Sequence, residues 1–198
     1  VGYSRLMRVD EEGTHRRQSL LLNETLLPIF QTHQGRIVKT TGDGVLAEFS
    51  AVTDAVVCAL DIQNAVTNME QSRHIEQRIE YRIGINLGDI IIDNDDIFGD
   101  GVNIASRLEG LAKPGGICIS DSVNSSIRSK LDIEFENYGE QYLKNISEPI
   151  RVWHYRKGSG AKQAQDFSST TRHPKLPQKP SVAVLPFTNM SGDTEQEH

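Results

Sequence analysis

Two stretches of the chain carry apolar residues at helical spacing. The first, over 10–33, follows an acidic turn and stops before Gly35, and the second, over 52–66, begins behind Ser50. Both patterns predict amphipathic helices. The apolar positions of the first stretch are Leu22, Leu26, Ile29 and Phe30, and those of the second are Val52, Ala55, Val56, Ala59, Ile62 and Val66.

Short apolar runs bounded by glycine predict strands. The segment 36–49 has apolar residues on both sides of Gly42-Asp43-Gly44, which is typical of a β-hairpin with glycines where positive φ is needed. Further strands are predicted over 79–87, 89–93, 117–120, 133–138 and 150–155, with helices over 102–111 and 121–130. Because the hairpins interrupt the alternation of helices and strands, the pattern favours an α+β fold with a mixed sheet.

The composition changes after residue 156. Residues 157–180 are rich in Gly, Ser, Thr, Lys, Gln and Pro, which predicts a flexible linker. A new apolar run over 181–187 then predicts a strand. We therefore expect a folded domain over 1–156, a linker over 157–180 and the start of a second, incomplete domain over 181–198. The chain begins at Val1 and ends in a polar stretch, so we expect a fragment of a longer polypeptide.

Charge and cysteine content exclude several classes. The 198 residues include 37% hydrophobic residues and carry a formal net charge of −6, which argues against a general nucleic-acid-binding surface. Cys58 and Cys118 both lie in apolar stretches, so neither a disulfide framework nor a thiolate metal site is indicated. No apolar run reaches the length of a membrane span. We expect a cytoplasmic protein.

Two polar segments are candidates for chemistry. In the first, Lys39 and Asp43 are four residues apart on a strand that enters a tight turn, so both side chains can project from one face. Taken alone, this segment also fits a simple hairpin turn beside a solvated lysine. In the second, Asn103 and Arg107 are one helical turn apart, with Asp96 seven residues before Asn103, so the amide and guanidinium groups face the same way.

With these motifs in order, the chain resembles the catalytic domain of class III nucleotidyl cyclases, the adenylate and guanylate cyclase homology family. The resemblance runs from Val1 to about Tyr155. It rests on four motifs, which are Val-Gly-Tyr-Ser at 1–4, KTTGDG at 39–44, RIGINLGD at 82–89 and DIFGDGVNIASRLE at 96–109. It implies a ferredoxin-like mixed sheet with helices packed on it, and a bacterial multidomain signalling protein.

The resemblance also implies a role for each candidate residue. Lys39 and Asp96 match the pair that reads the purine, and Asn103 and Arg107 match the pair that steadies the ribose and the transition state. Arg82 and Lys144 match cations that bind the triphosphate, and Asp43 matches a metal-binding aspartate. The family uses two Mg²⁺ or Mn²⁺ ions per site and builds the site between two catalytic domains. Because this chain carries both kinds of residue, a symmetric homodimer is expected.

The purine can be argued from hydrogen-bonding patterns. Adenine offers an amino donor and a ring-nitrogen acceptor, which match the acceptor Asp96 and the donor Lys39. Guanine offers the opposite pattern. ATP is therefore the expected substrate, with 3′,5′-cyclic AMP and pyrophosphate as products. The family's other metal aspartate precedes the Val-Gly-Tyr-Ser motif on the first core strand, so that strand is expected to be truncated here and the fragment to be weak or inactive.

Three alternatives stay open at this stage. A non-catalytic cyclase-like module could bind nucleotide or a partner and regulate an attached domain. A calcium-binding module is suggested by the acidic run 93–100, but Phe98 and Arg107 occupy positions where an EF-hand needs oxygen ligands. A diguanylate cyclase would share the fold, yet a Gly-Gly-Asp-Glu-Phe hairpin is missing. The final segment resembles the start of an accessory domain that precedes helical repeats in some bacterial cyclases.

Overall fold

The computed structural model of the chain describes residues 2–41, 44–94, 96–155 and 181–185. Its helices are α1 (Tyr3–Val9), α2 (Glu11–Leu20), α3 (Leu27–Thr32), α4 (Val52–Glu70), α5 (Asp100–Leu111) and α6 (Asp121–Ile127). Its strands are β1 (Arg36–Thr41), β2 (Gly44–Phe49), β3 (Ile83–Leu87), β4 (Ile91–Asp93), β5 (Asp96–Phe98), β6 (Ile117–Ser120), β7 (Phe135–Gln141), β8 (Ile150–Tyr155) and β9 (Ser181–Leu185).

The N-terminal helical region begins earlier than the apolar pattern predicts. Helix α1 precedes Asp10, whose carboxylate accepts a hydrogen bond from the Gly13 backbone N–H at 2.9 Å and so caps α2. A π-helical stretch, Leu21–Leu26, joins α2 to α3. The predicted helix over 10–33 is therefore confirmed. Asp10, which is in an extended conformation, separates it from α1.

The strands form one seven-stranded mixed sheet in the order β1-β2-β9-β3-β6-β8-β7, while β4 and β5 pair as a separate hairpin. Only β3 and β6 are parallel among these pairs, and β9 is antiparallel to both β2 and β3. The mixed sheet and the α+β class are confirmed. The strand predicted near 181 is also confirmed, and it pairs in the main sheet. The division into catalytic domain, linker and second domain stays a prediction.

Several boundaries differ from the expectation for local reasons. The predicted strand over 79–87 begins only at Ile83; a 3-10 turn, Ile75–Gln77, and a connection without regular secondary structure precede it. The predicted strand over 89–93 is shortened to β4, and the sequence pattern missed its partner β5. Both strands of this hairpin are three residues long, which is too short for an alternating apolar pattern to show.

Helices cover both faces of the main sheet. One core contains Ile83, Ile85, Ile117 and Ile119 from the strands, with the apolar residues of α4 and α6. The intervening Cys118 belongs to a second cluster with Leu108 of α5. Because alternate strand residues point to opposite faces, α5 lies on the face opposite α4 and α6. No helix in the part of the chain that the structure describes is long and apolar enough to cross a membrane.

Candidate active site

Lys39 and Asp96 form a close ion pair although 57 positions separate them in the sequence. The Lys39 Nζ donates to Asp96 Oδ2 at 2.6 Å. Lys39 lies opposite Leu46 in the β1–β2 pair, and directly opposed antiparallel residues share a face. Leu46 packs with Ile97 and Ala105 on the α5 side of the sheet. The apolar contact of Ile97 thus holds the short strand β5 where Asp96 meets Lys39.

The environment of Asp96 favours its charged form. The hydrogen bond from Lys39 holds the pKa of the Asp96 carboxyl below its usual range, and a backbone hydrogen bond from Ile97 N–H acts in the same direction. The Lys39 ammonium also lies 5.6 Å from the centroid of the Phe98 ring, within the range of a cation–π contact. The site therefore presents one fixed acceptor and one fixed donor at the edge of the sheet.

Helix α5 carries Asn103 and Arg107 on its exposed side. The helix begins after Gly99, which has a φ of 124°. Residues other than glycine rarely adopt this backbone conformation. The Gly99 carbonyl accepts hydrogen bonds from the backbone N–H groups of Val102 and Asn103. Asn103 and Arg107 are exposed, whereas Ala105, Leu108 and Glu109 are buried. The predicted donor pair thus faces away from the sheet and toward solvent.

Arg82 has a partner that the sequence analysis did not identify. Its Nε donates to Oε1 of Glu109 at 2.8 Å, and the two side chains are 17% and 5% exposed. Glu109 follows Ala105 by four residues on the sheet-facing side of α5, so a carboxylate in an otherwise apolar stripe was the available signal. A triphosphate-binding role for Arg82 stays a prediction.

Lys144 lies apart from the other predicted site residues that the structure describes. Lys144 is exposed on the connection between β7 and β8, at the opposite edge of the sheet from Lys39 on β1. Asp43 lies outside the described residues, so its predicted metal role stays a prediction. Within the described ranges, no group of three or more His, Cys, Asp or Glu side chains could hold a metal ion.

A groove beside the β4–β5 hairpin is not lined by Lys39, Asp96, Asn103 or Arg107. This open groove has a volume of about 900 Å³ and lies between the end of β3, the β4–β5 hairpin and the first turns of α5 and α6. Its wall includes Asn86, Asp89, Asp100 and Asp121. Asn103 and Arg107 are exposed to solvent, and Lys39 and Asp96 are 41% and 31% exposed.

The comparisons with known proteins agree with the arrangement of these elements. The family model for the adenylate and guanylate cyclase catalytic domain matches residues 22–156. The putative adenylate cyclase 3 of Rhizobium meliloti is 44% identical over 196 residues, which is 99% of this chain and 33% of that protein. The chain therefore spans about a third of the length of this relative.

Two solved structures extend the comparison to the fold. An adenylate/guanylate cyclase/hydrolase from Silicibacter pomeroyi is 46% identical, with a TM-score of 0.74, and the match covers 78% of this chain and 90% of that one. The adenylyl cyclase CyaB from P. aeruginosa is 26% identical, with a TM-score of 0.66, and the match covers 80% and 92% of the two chains. The chain belongs to the adenylate and guanylate cyclase catalytic domain family.

Proposed function

We propose that this domain converts ATP into 3′,5′-cyclic AMP and pyrophosphate as an adenylate cyclase in intracellular signalling. The observation that carries the proposal is the Lys39–Asp96 pair, whose Nζ and Oδ2 atoms are 2.6 Å apart. An ionised Asp96 accepts from the adenine amino group, while Lys39 donates to a ring nitrogen. Guanine would place its carbonyl against the carboxylate, so the pair favours adenine.

The reaction forms one P–O bond and breaks another. The ribose 3′-oxygen attacks the α-phosphorus in line, the bond to the bridging oxygen breaks, pyrophosphate leaves, and the hydroxyl proton passes to solvent. Arg107 would donate to oxygens of the crowded phosphorus, where charge reorganises most, and Asn103 would hold the ribose. Because both residues lie on α5, their spacing is fixed by the helix before the nucleotide binds.

Metal ions and further cations complete the proposed site. Hard divalent cations prefer oxygen ligands, and Asp43 would supply one such ligand to Mg²⁺ or Mn²⁺. Two bound ions would neutralise phosphate charge and lower the pKa of the 3′-hydroxyl. A single carboxylate leaves most of the coordination shell to the triphosphate, water and other protein groups. Lys144 would bind the triphosphate as a mobile point charge.

The placement of the site residues supports a homodimer. The base-reading pair and the α5 pair are at least partly exposed and do not line the groove described above, and Lys144 lies at the other edge of the sheet. A second copy would cover the partly exposed side chains and could bring Asp43 of one chain to Arg107 of the other. Each homodimer would then contain two equivalent sites.

The substrate prediction is tested by incubating the full-length protein with Mn²⁺ and either ATP or GTP and measuring both cyclic nucleotides. Cyclic AMP should dominate. Lys39→Ala and Asp96→Ala should each lower kcat/KM for ATP by about tenfold or more, because each removes a charge-assisted hydrogen bond to the base. Lys130→Ala, a change on the exposed turn after α6, should match the wild type. Unchanged ATP specificity in both site variants would refute the base-reading roles.

The shared-site prediction is tested by mixing two inactive variants. Asp43→Ala and Arg107→Ala homodimers should each be nearly inactive. After random exchange of subunits, half of the dimers contain one of each variant, and one of their two sites is intact, so about a quarter of wild-type activity should return. No recovery, with mixed dimers verified by differently tagged chains, would contradict a site shared between copies. Absence of product from the full-length wild-type protein with either nucleotide would favour a regulatory cyclase-like module.

A further inference from the structure

The Arg82–Glu109 ion pair joins the start of β3 to the sheet-facing side of α5. Its 2.8 Å contact is among the more buried ion pairs described in the chain, with Glu109 only 5% exposed. A carboxylate so far from water stays charged only when a strong partner compensates the lost hydration. The arginine guanidinium is permanently charged and holds a fixed donor geometry. The pair therefore restrains where this part of α5 can lie.

Gly84 shows how closely α5 and β3 approach each other beside this pair. A Cβ atom built on Gly84 would collide with the backbone of Ala105 and Glu109. Arg82 and Gly84 are two residues apart and so lie on the same side of the extended chain. The backbone contact fixes the distance of α5 from the sheet, and the ion pair fixes its rotation and its position along its own axis.

Arg107 precedes Glu109 by two residues, and Asn103 lies one turn before Arg107 on the exposed side. A helix transmits a rotation or shift of one residue to its neighbours because its backbone hydrogen bonds keep it rigid. Displacement of Glu109 would therefore move the Arg107 guanidinium and the Asn103 amide together. An error of about 1 Å in such groups can reduce a rate about a hundredfold.

We propose that Arg82 is a positioning residue, which acts through Glu109 to fix α5 so that Asn103 and Arg107 meet the reacting phosphate and ribose, and that it does not bind the triphosphate. The inference rests on the proposed cyclase function. The sequence does not distinguish a residue that binds the triphosphate from one that positions α5. A triphosphate ligand contributes to nucleotide affinity, whereas a positioning residue contributes to turnover.

The test is a double-mutant cycle in the full-length protein with Arg82→Gln, Glu109→Gln and the double variant. For each protein we measure kcat, KM for ATP, inhibition by pyrophosphate, and the affinity for 3′-deoxy-ATP, which cannot cyclise. Both single variants should lower kcat by about ten- to a hundredfold, with KM and both affinities within about twofold of the wild type. The kcat of the double variant should be no lower than that of the less active single variant, because the two residues act as one unit.

The matched control is the exposed ion pair Arg151–Glu140, with an Nη2–Oε1 distance of 3.2 Å. Arg151→Gln and Glu140→Gln should leave kcat unchanged. If the Arg82→Gln protein does not fold, Arg82→Lys takes its place, because the ammonium preserves the charge but not the guanidinium geometry. That variant should fold, with lowered kcat and unchanged KM.

Three results would overturn the proposal. A raised KM and weaker pyrophosphate inhibition in the Arg82 variants, with normal Glu109→Gln protein, would make Arg82 a ligand of the triphosphate. Normal kcat in folded Glu109→Gln protein would show that Glu109 does not position α5. Wild-type protein that forms no cyclic nucleotide would overturn the proposed function as well, which distinguishes that outcome from the first two.

Discussion

His154 on β8 is a buried histidine with an unsatisfied ring nitrogen. Its Nε2 has no hydrogen-bond partner among the residues that the structure describes, and its ring lies 4.4 Å from that of Tyr138 between centroids. Burial lowers the pKa of His154, and the nearby Lys113 ammonium acts in the same direction, while Glu136 opposes them. The folded protein therefore favours the neutral imidazole.

This depressed pKa predicts a loss of stability in mild acid. Below the usual value of 6.5, the unfolded chain binds a proton at His154 that the folded chain does not, so the free energy of unfolding falls as the pH decreases toward the folded pKa. His154→Phe should flatten the curve of Tm against pH between pH 7.5 and pH 5. The exposed His74→Phe is the control. Equal slopes for wild type and His154→Phe would contradict the prediction.

At the residue scale, the family resemblance paired Lys39 with Asp96 as readers of the purine, and the structure brings their side chains into contact. The sequence did not predict Glu109 as the partner of Arg82. The two residues are 27 positions apart, and their contact depends on how α5 packs on β3. The apolar periodicity of a helix indicates which of its residues are buried. The partner of a buried charged residue can be identified only from the three-dimensional structure. Phe98 was likewise identified only by its position over Lys39.

At the scale of elements, the close packing of α5 on β3 depends on a residue without a side chain. Gly84 belongs to a strand whose neighbours Ile83 and Ile85 are fully buried on the other face. On its own face, the backbone of α5 occupies the space that a Cβ would need. The sequence predicted a strand and a helix here, but the small distance between them follows from this single position.

Gly84→Ala should therefore destabilise the protein. Overpacking of this kind typically costs about 1–3 kcal/mol, and here the obstructing atoms are backbone, which cannot move aside as a side chain can. Gly110→Ala on the exposed side of α5 is the matched control, because nothing lies within 4 Å of its added Cβ. That change should stabilise the protein by about 0.5–1 kcal/mol through helix propensity. Thermal or urea unfolding measures both, and equal stability of the two variants would refute the argument.

At the scale of the whole molecule, the β4–β5 hairpin exposes apolar side chains near the candidate site. Ile91 and Phe98 are directly opposed in the hairpin and are 66% and 48% exposed. Opposed residues share a face, so they form one apolar surface, which adjoins Lys39 through Phe98. We propose that this surface contributes to the contact with the proposed second copy of the chain.

Ile91→Asp should weaken self-association and lower cyclase activity at low protein concentration, since it places a charge in the proposed contact. Activity should recover as the concentration rises. Ile75→Asp is the control, because Ile75 is 65% exposed but lies in the 3-10 turn, away from the hairpin. Sedimentation velocity measures the oligomeric state. A monomeric wild type, or an Ile91→Asp protein that associates normally, would contradict the role of the hairpin.

The close packing of α5 on β3 limits the motions by which the activity of such a domain could be regulated. A shift of α5 along the sheet, which would displace Asn103 and Arg107, requires the buried Arg82–Glu109 ion pair to break. A control element could still turn whole subunits against each other, since that motion leaves each interior intact. For the proposed homodimer we therefore expect regulation through the relative orientation of the subunits: distances between spin labels on the two α5 helices should change with activity while distances from α5 to β3 stay constant.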